Sequence, residues 1–123
     1  MLYVEDSAVN ARLMSQVFAR FRPDLSLDIA ADGQQGLRMF EDLHPVLLLL
    51  DYHLPDTTGL AILQAIRGSG NQLPVFIVTA DARTELATAV AAAGGNGVVT
   101  KPFEIRSVLD LVENELPSMA IAR

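Results

Sequence analysis

The sequence contains no cysteine, which excludes disulfides, thiol catalysis and zinc sites built on cysteine. Basic residues are also few: nine lysines and arginines stand against fifteen acidic residues, for a net charge of −6. This balance argues against direct binding of nucleic acid through its phosphates. No apolar run approaches the roughly 18 residues that span a bilayer, and the N-terminus lacks the features of a signal peptide. We therefore expect a cytoplasmic domain with no direct nucleic-acid or membrane contact.

The 123 residues are half hydrophobic, which fits one globular domain with a sizeable core. Short apolar runs typical of strands cover residues 2–4, 25–30, 46–50, 74–79 and 98–100. Segments with helical spacing of apolar residues follow each run, and Ser7 and Asp32 suit the starts of the first two helices. Strands that alternate with helices predict parallel βαβ units, with helices on both faces of the sheet.

Each helical segment has one apolar face that we expect to pack against the sheet. The predicted inward residues are Met14, Val17, Phe18 and Phe21; Leu37, Phe40 and Leu43; Gly59, Ile62, Leu63 and Ile66; Leu86, Ala89, Val90 and Ala93; and Ile105, Val108, Leu109, Val112 and Leu116.

The third apolar run is continuous, which is typical of a central parallel strand buried on both faces. It leads directly into Asp51, and a turn-rich segment up to Gly59 follows. In open α/β sheets ligands bind outside the carboxyl ends of the strands, so Asp51 is a candidate reactive group. A role as a simple strand or helix cap remains open on this stretch alone.

Other polar residues follow the remaining strands and should meet Asp51 at the same edge of the sheet. They are Glu5, Asp6, Thr79 and Lys101. Three neighbouring carboxylates repel one another and call for a cation. Since the carboxylates have no cysteine or histidine cluster beside them, they suit a hard divalent ion, Mg²⁺ in particular.

These residues resemble the receiver domain of two-component response regulators over essentially the whole chain. The resemblance is carried by the motifs Val4-Glu5-Asp6, Asp51-Tyr52-His53-Leu54-Pro55 ending in Gly59, Thr79-Ala80, and Lys101-Pro102-Phe103. It implies a flavodoxin-like (βα)5 doubly wound parallel sheet with strand order 2-1-3-4-5, an order for which a chemotaxis receiver is a standard example. The receiver domain would cover residues 1–117, and residues 118–123 would form a C-terminal tail or the start of a linker.

The resemblance also implies the chemistry of the site. Asp51 would accept a phosphoryl group from a phosphohistidine on a histidine kinase or a histidine phosphotransfer protein. Mg²⁺ would be held by the side chains of Asp6 and Asp51, by Glu5 directly or through water, and by the backbone carbonyl of His53. The domain would catalyse only its own phosphorylation and dephosphorylation, and so would not be an enzyme on other substrates.

Further roles follow from the same resemblance. Lys101 would pair with the phosphoryl oxygens, and Thr79 would donate a hydrogen bond to one of them. The peptide bond from Lys101 to Pro102 would be cis, which aims the lysine inward. The side chains of His53 and Asp81 would flank the path of attacking water and tune dephosphorylation.

One departure from the family pattern concerns output. The family usually has an aromatic residue three positions before the lysine, where this sequence has Val98, so we expect a muted switch. Two alternatives stay open: a degenerate receiver that binds a partner without phosphorylation, and an aspartate-nucleophile phosphohydrolase. The second is disfavoured because His53 occupies the position where such enzymes commonly have a second acid.

The partners beyond the phosphodonor are also open at this stage. The first strand is short, and the start Tyr3-Val4-Glu5-Asp6 resembles receivers fused to hybrid sensor kinases. We therefore expect a piece of a longer protein, with a fused kinase or effector domain outside this sequence. A homodimer through the fourth helix, the fifth strand and the fifth helix is a further option.

Overall fold

The structure is a computed structural model that describes residues 1–81, 83–102 and 104–117. Phe103 of the lysine motif and the predicted tail at 118–123 lie outside the described residues. Ten elements alternate along the chain: β1 Leu2–Val4, α1 Ala8–Phe21, β2 Asp28–Ala30, α2 Gly33–Leu43, β3 Leu48–Asp51, α3 Gly59–Gly68, β4 Val75–Thr79, α4 Thr84–Ala92, β5 Gly97–Thr100 and α5 Ile105–Glu115.

The five strands form one sheet in the order β2-β1-β3-β4-β5, and each neighbouring pair is parallel. This confirms the flavodoxin-like fold and the strand order expected from the sequence. β3 is central, between β1 and β4, which explains why its apolar run has no polar alternation. All five strands end at the same edge, and β3 delivers Asp51 to the middle of it.

Each face of the sheet has its own core. On one face Leu49 and Phe76 pack with Met14, Phe18 and Val108, so α1 and α5 cover this side. Adjacent strand residues point the opposite way because side chains alternate along a strand. On the other face Leu50 and Ile77 therefore pack with residues of α2, α3 and α4, among them Ile62, Leu63 and Val90.

Three strands are shorter than the apolar runs that predict them, β4 by the single residue Pro74. β3 begins at Leu48 rather than at Val46, whose side chain is 54% exposed. β2 covers only Asp28–Ala30 of the predicted 25–30, because its pairing partner β1 has just three residues, Leu2–Val4. Apolar character therefore overestimates the strand length where the neighbouring strand is short.

Three residues predicted to face the sheet are instead about half exposed. Phe21, Leu43 and Ile105 are 50%, 48% and 43% exposed, and each is the first or last residue of its helix. At about 1.5 Å per residue α1 is about 21 Å long, whereas the three residues of β1 span about 10 Å. A helical turn that extends past the sheet has nothing to pack against, so the prediction for these residues was wrong.

The helix starts follow the predicted capping. The hydroxyl of Ser7 accepts a hydrogen bond from the Asn10 N–H at 3.3 Å, and Asp32 Oδ1 accepts one from the Gln35 N–H at 2.7 Å. Both bonds satisfy first-turn N–H groups that lack a partner within the helix. Within the described part of the chain, no helix combines the length and apolarity needed to cross a bilayer.

Candidate functional site

The site lies at the edge of the sheet where the strands end. Asp51 is the last residue of β3, Thr79 is the last residue of β4, and Glu5 follows β1 directly. All three are nearly fully buried, at 6%, 1% and 2% exposure respectively. Buried polar groups require partners, so this edge is built for specific contacts rather than for solvation.

Three carboxylates form a cluster at this edge. One carboxylate oxygen each from Glu5, Asp6 and Asp51 lie within 4.8 Å of one another. Asp6 is exposed, so the cluster is open to solvent on its side. This set of hard oxygen donors, without nitrogen or sulfur ligands, fits the preference of Mg²⁺ for one or two carboxylates together with water and phosphate oxygens.

Lys101 is the cation that faces the cluster. Its Nζ lies 2.7 Å from Glu5 Oε1 and 3.2 Å from Asp51 Oδ2, although 96 residues separate Lys101 from Glu5. One ammonium group against three carboxylates leaves an excess of two negative charges when all are ionised. A divalent cation would neutralise that excess, which is a second reason why Mg²⁺ fits the donor set.

Glu5 Oε1 has three hydrogen-bond donors around it. The buried Tyr3 hydroxyl donates at 2.9 Å, Asn10 Nδ2 at 3.2 Å and Lys101 Nζ at 2.7 Å. The other oxygen, Oε2, accepts a longer bond of 3.4 Å from the backbone N–H of Ser7. The Glu5 carboxylate is therefore fixed mainly through one of its two oxygens.

Burial and proximity move the pKa values of the two buried acids in opposite directions. Burial raises the pKa of Asp51 to about 7, and the adjacent Glu5 adds to this effect while Lys101 opposes it. Burial would also raise the pKa of Glu5, but hydrogen bonds from the protonated Asp51, Lys101 and Tyr3 outweigh it and lower that pKa to about 2. Below neutral pH the metal-free pair thus shares one proton, and the raised pKa of Asp51 favours that residue as its site.

The ends of β4 and β5 are joined at the site. The Lys101 N–H donates to the Thr79 carbonyl at 2.7 Å, and the Thr79 hydroxyl accepts a hydrogen bond from the Asp81 N–H at 3.1 Å. The Lys101–Pro102 peptide bond is cis, as the resemblance implies. Thr79 is the neighbour of Val78, which pairs directly with Asp51 across the sheet. The structure therefore brings Thr79, Lys101 and the acids to one place.

The loop between β3 and α3 is anchored at both ends. The Gly59 N–H donates to the Tyr52 carbonyl, and a Cβ at Gly59 would lie 2.6 Å from the Asp51 carbonyl oxygen, so only glycine fits this close approach. Asp56 accepts hydrogen bonds from the N–H groups of Gly33 and Gln34, at 2.8 and 2.9 Å. The loop that leaves Asp51 is thus tied to the start of α2.

A cavity of about 560 Å³ opens beside the phosphoacceptor candidate, between the strand ends and α4. Its lining includes His53, Thr79 and Asp81, so the structure brings the two predicted dephosphorylation-tuning residues to the same space. The Asp81 carboxylate is paired with Arg83 at 2.7 Å, and this hydrogen-bonded pair lowers the pKa of Asp81. The Arg83 side chain is largely exposed, and that of Asp81 is about half exposed.

Val98 lies in β5 opposite Ile77 and is half-buried against the core under α4. Its side chain thus belongs to the packing of the α4 side rather than to the acid cluster.

Two residues of the site were not anticipated from the sequence. Tyr3 and Asn10 both contact Glu5, yet each was read only as part of a strand or a helix. A weak signal existed for Tyr3, because residues i and i+2 of a strand share a face, which puts a hydroxyl beside Glu5. For Asn10 the contact depends on how α1 leaves the sheet, and no local pattern encodes that angle.

Comparison with known proteins identifies similar sequences. A family model described as the response regulator receiver domain matches residues 1–113. The regulatory protein AtoC of Escherichia coli strain K12 is 29% identical over 116 residues, which cover 94% of this chain and 25% of that protein. The probable transcriptional regulatory protein TcrX of Mycobacterium tuberculosis strain H37Rv is 34% identical over 109 residues, covering 89% and 46%. The chain thus spans a quarter to a half of these relatives.

Solved structures agree with the fold. The signal receiver domain of a putative LuxO repressor protein from Vibrio parahaemolyticus superposes with a TM-score of 0.87 at 27% sequence identity. The alignment covers 94% of this chain and 87% of that one. The similarity therefore extends over nearly the whole of both chains.

Proposed function

Because the chain belongs to the response regulator receiver domain family, a family of phosphoacceptor signalling domains, we propose that Asp51 accepts a phosphoryl group from a phosphohistidine on a partner protein. The observation that carries this proposal is the position of Asp51. It ends the central strand and lies both in the three-acid cluster and 3.2 Å from Lys101. Glu5 also has these two contacts, but three hydrogen-bond donors already engage its carboxylate.

The transfer is a displacement at phosphorus. A carboxylate oxygen of Asp51 forms a P–O bond as the P–N bond to the histidine breaks, and the imidazole leaves with the electron pair and takes up a proton. Little covalent chemistry is asked of the surrounding residues, since phosphoryl transfer depends on positioning and on stabilising charge. The neighbours of Asp51 therefore need to hold charges in place.

Glu5, Asp6 and Asp51 are the side chains that would hold Mg²⁺. By resemblance to the family, the backbone carbonyl of His53 would be a further ligand. When bound, the ion would supply positive charge that offsets the negative charge of the acids and of the incoming phosphoryl group. Ligation also requires an ionised Asp51, whose pKa of about 7 leaves it largely protonated below neutral pH. The same carboxylate is then both a ligand and a nucleophile.

Lys101 and Thr79 would bind the phosphoryl group once it is on Asp51. Lys101 Nζ already lies between Asp51 and Glu5, so a small movement brings it to a phosphoryl oxygen. The buried Thr79 hydroxyl has a proton to donate, because its hydrogen bond with the Asp81 N–H uses only an acceptor lone pair. These two residues would convert phosphorylation into movement at the ends of β4 and β5.

Loss of the phosphoryl group would proceed by attack of water through the cavity beside His53 and Asp81. In this proposal the domain acts on no other substrate. The partners are a histidine kinase or a histidine phosphotransfer protein, and the surface of α4, β5 and α5 is proposed as the output and dimerisation face. A fused effector domain and a cytoplasmic location both stay predictions.

The decisive experiment is the intact mass of the domain after incubation with Mg²⁺ and a small acyl phosphate. We expect wild type to gain the mass of one phosphoryl group, and we expect no gain for Asp51→Asn or for wild type in excess chelator. Asp110→Asn is the matched control, because it makes the same chemical change on exposed α5 and should leave phosphorylation intact. A phosphoryl group that persists in Asp51→Asn would contradict the assignment.

A further inference from the structure

We propose that Tyr3 is a positioning residue for Mg²⁺ binding, assisted by Asn10, because both donate hydrogen bonds to the same oxygen of Glu5. The proposal rests on the proposed function, in which Glu5 belongs to the metal site. It adds two residues to that site, and it gives a chemical reason for a tyrosine in a strand whose other described side chains, Leu2 and Val4, are aliphatic.

The Tyr3 ring is fully buried in the core between the sheet and helices α1 and α5, where it packs with Met14, Phe18 and Val108. Phenylalanine would fill this space equally well. The hydroxyl adds a polar atom that must be satisfied away from water, and its partner is Glu5 Oε1 at 2.9 Å.

The arrangement matters most when Lys101 moves. In the described state Lys101 holds Glu5 Oε1 at 2.7 Å, and this bond is lost when the ammonium group turns to a phosphoryl oxygen. Tyr3 and Asn10 would then remain as the donors to that oxygen and would keep the carboxylate from rotating. Oε2, which accepts the longer 3.4 Å bond from the Ser7 N–H, would stay directed to the metal cluster.

Two neutral donors on Oε1 also weaken the hold of Glu5 on Lys101. They share the oxygen that attracts the ammonium group and so reduce the charge that Lys101 alone would otherwise compensate. Without the Tyr3 hydroxyl, Glu5 would bind Lys101 more firmly, and Lys101 would compete with the metal ion for the Glu5 carboxylate. Groups that orient metal ligands in this manner typically contribute about 10-fold to 100-fold in metal affinity.

The test is calorimetric titration of the metal-free domain with MgCl₂. We expect Tyr3→Phe to raise the Kd for Mg²⁺ by about 10-fold and Asn10→Ala, which removes the longer bond, to raise it by about 3-fold. Tyr52→Phe is the matched control: it removes the same atom from the other tyrosine, whose hydroxyl has no hydrogen bond within the described chain, so its Kd should equal that of wild type. Thermal unfolding in chelator reports any purely structural loss.

A second readout separates positioning from catalysis. The Mg²⁺ concentration for half-maximal phosphorylation by a small acyl phosphate should rise in Tyr3→Phe as its Kd does, while the rate at saturating Mg²⁺ changes less than about 2-fold. A Kd within 2-fold of wild type in folded Tyr3→Phe overturns the inference, and unchanged binding in Asn10→Ala does so if Tyr3→Phe does not fold. Wild type that binds no Mg²⁺ would instead remove the proposed function itself.

Discussion

Two regions at the carboxyl edge of the sheet differ in how firmly their residues are held. Around β1 and β3, Glu5 and Asp51 are buried and the Glu5 carboxylate has donors from three side chains. Across the sheet, α4 fully buries Val90 and no other of its described side chains, and its N-cap Arg83 makes no side-chain capping bond within the described chain. β5 at this edge is half-buried, and Thr100 is exposed.

This difference separates two tasks. Charge stabilisation requires groups that are already in place when the phosphoryl group arrives, since reorganisation would cost free energy at that moment. Transmission requires an element with few contacts to break, because a small free-energy change must be able to shift it. The acid cluster meets the first requirement, and the alanine-rich α4 meets the second.

The largest effect is expected from removing Lys101, the cation that faces the acid cluster. Lys101→Met should slow phosphorylation by a small acyl phosphate about 100-fold at saturating Mg²⁺, because one preorganised donor to the developing charge is lost. The measurement is the initial rate of phosphoryl incorporation by intact mass. Arg106→Met, on exposed α5, is the matched control and should retain the wild-type rate. Equal rates for Lys101→Met and wild type would show that the ion pair is only structural.

The dependence of unfolding stability on pH tests the raised pKa of Asp51 in the same cluster. The pKa of Asp51 is raised from 3.8 to about 7 in the folded chain, so between these values the folded state holds a proton that the unfolded state has lost. Stability from this group is therefore present at low pH and is lost as pH rises through about 7. The lowered pKa of Glu5, about 2 against 4.5, acts in the opposite direction but only below about pH 5.

In excess chelator we therefore expect the Tm of wild type to fall between pH 5 and pH 8, while that of Asp51→Asn stays nearly constant. At pH 8 the variant should unfold about 5 °C higher, which corresponds to about 1 kcal/mol for a domain of this size. Mg²⁺ should restore the wild-type Tm and leave the variant nearly unchanged. A wild-type Tm that rises across this range would contradict the pKa assignment.

The cavity between the two regions should govern how long phosphorylation lasts. His53→Ala and Asp81→Ala should each change the dephosphorylation rate by about 3-fold or more without preventing phosphorylation, because both side chains line the cavity through which we propose that water reaches Asp51. The measurement is decay of the phosphorylated species after the donor is removed. If both variants decay at the wild-type rate, the cavity does not control access of water.

The smallest expected effect concerns β5 and α4, the region with fewer buried contacts. Val98 has one stiff torsion and little volume, so it should couple poorly to the movement of Thr79. Backbone amide shifts with Mg²⁺ and then with a beryllofluoride phosphoryl mimic should change strongly near Asp51 and weakly at Leu86 and Val90. Val98→Tyr should extend the change to α4. Equal changes in both regions for wild type would show that the switch is not muted.

The sequence by itself determined the order of the elements and the identity of the acids, Thr79 and Lys101 at the strand ends. Periodicity is a local property, and a parallel sheet brings all strand ends to one edge, so these residues could be predicted to meet. The same reasoning placed Ser7 and Asp32 at helix starts, where capping depends on neighbours only three residues away.

Tertiary structure decided which partner each polar group takes. The contact of Lys101 with Glu5 joins residues 96 positions apart, and the contact of Asn10 with the same oxygen depends on how α1 leaves the sheet. Tertiary structure also decided which helical turns pass beyond the short strands and leave Phe21 exposed. Such distances depend on the packing of whole elements, and no window of neighbouring residues contains that information.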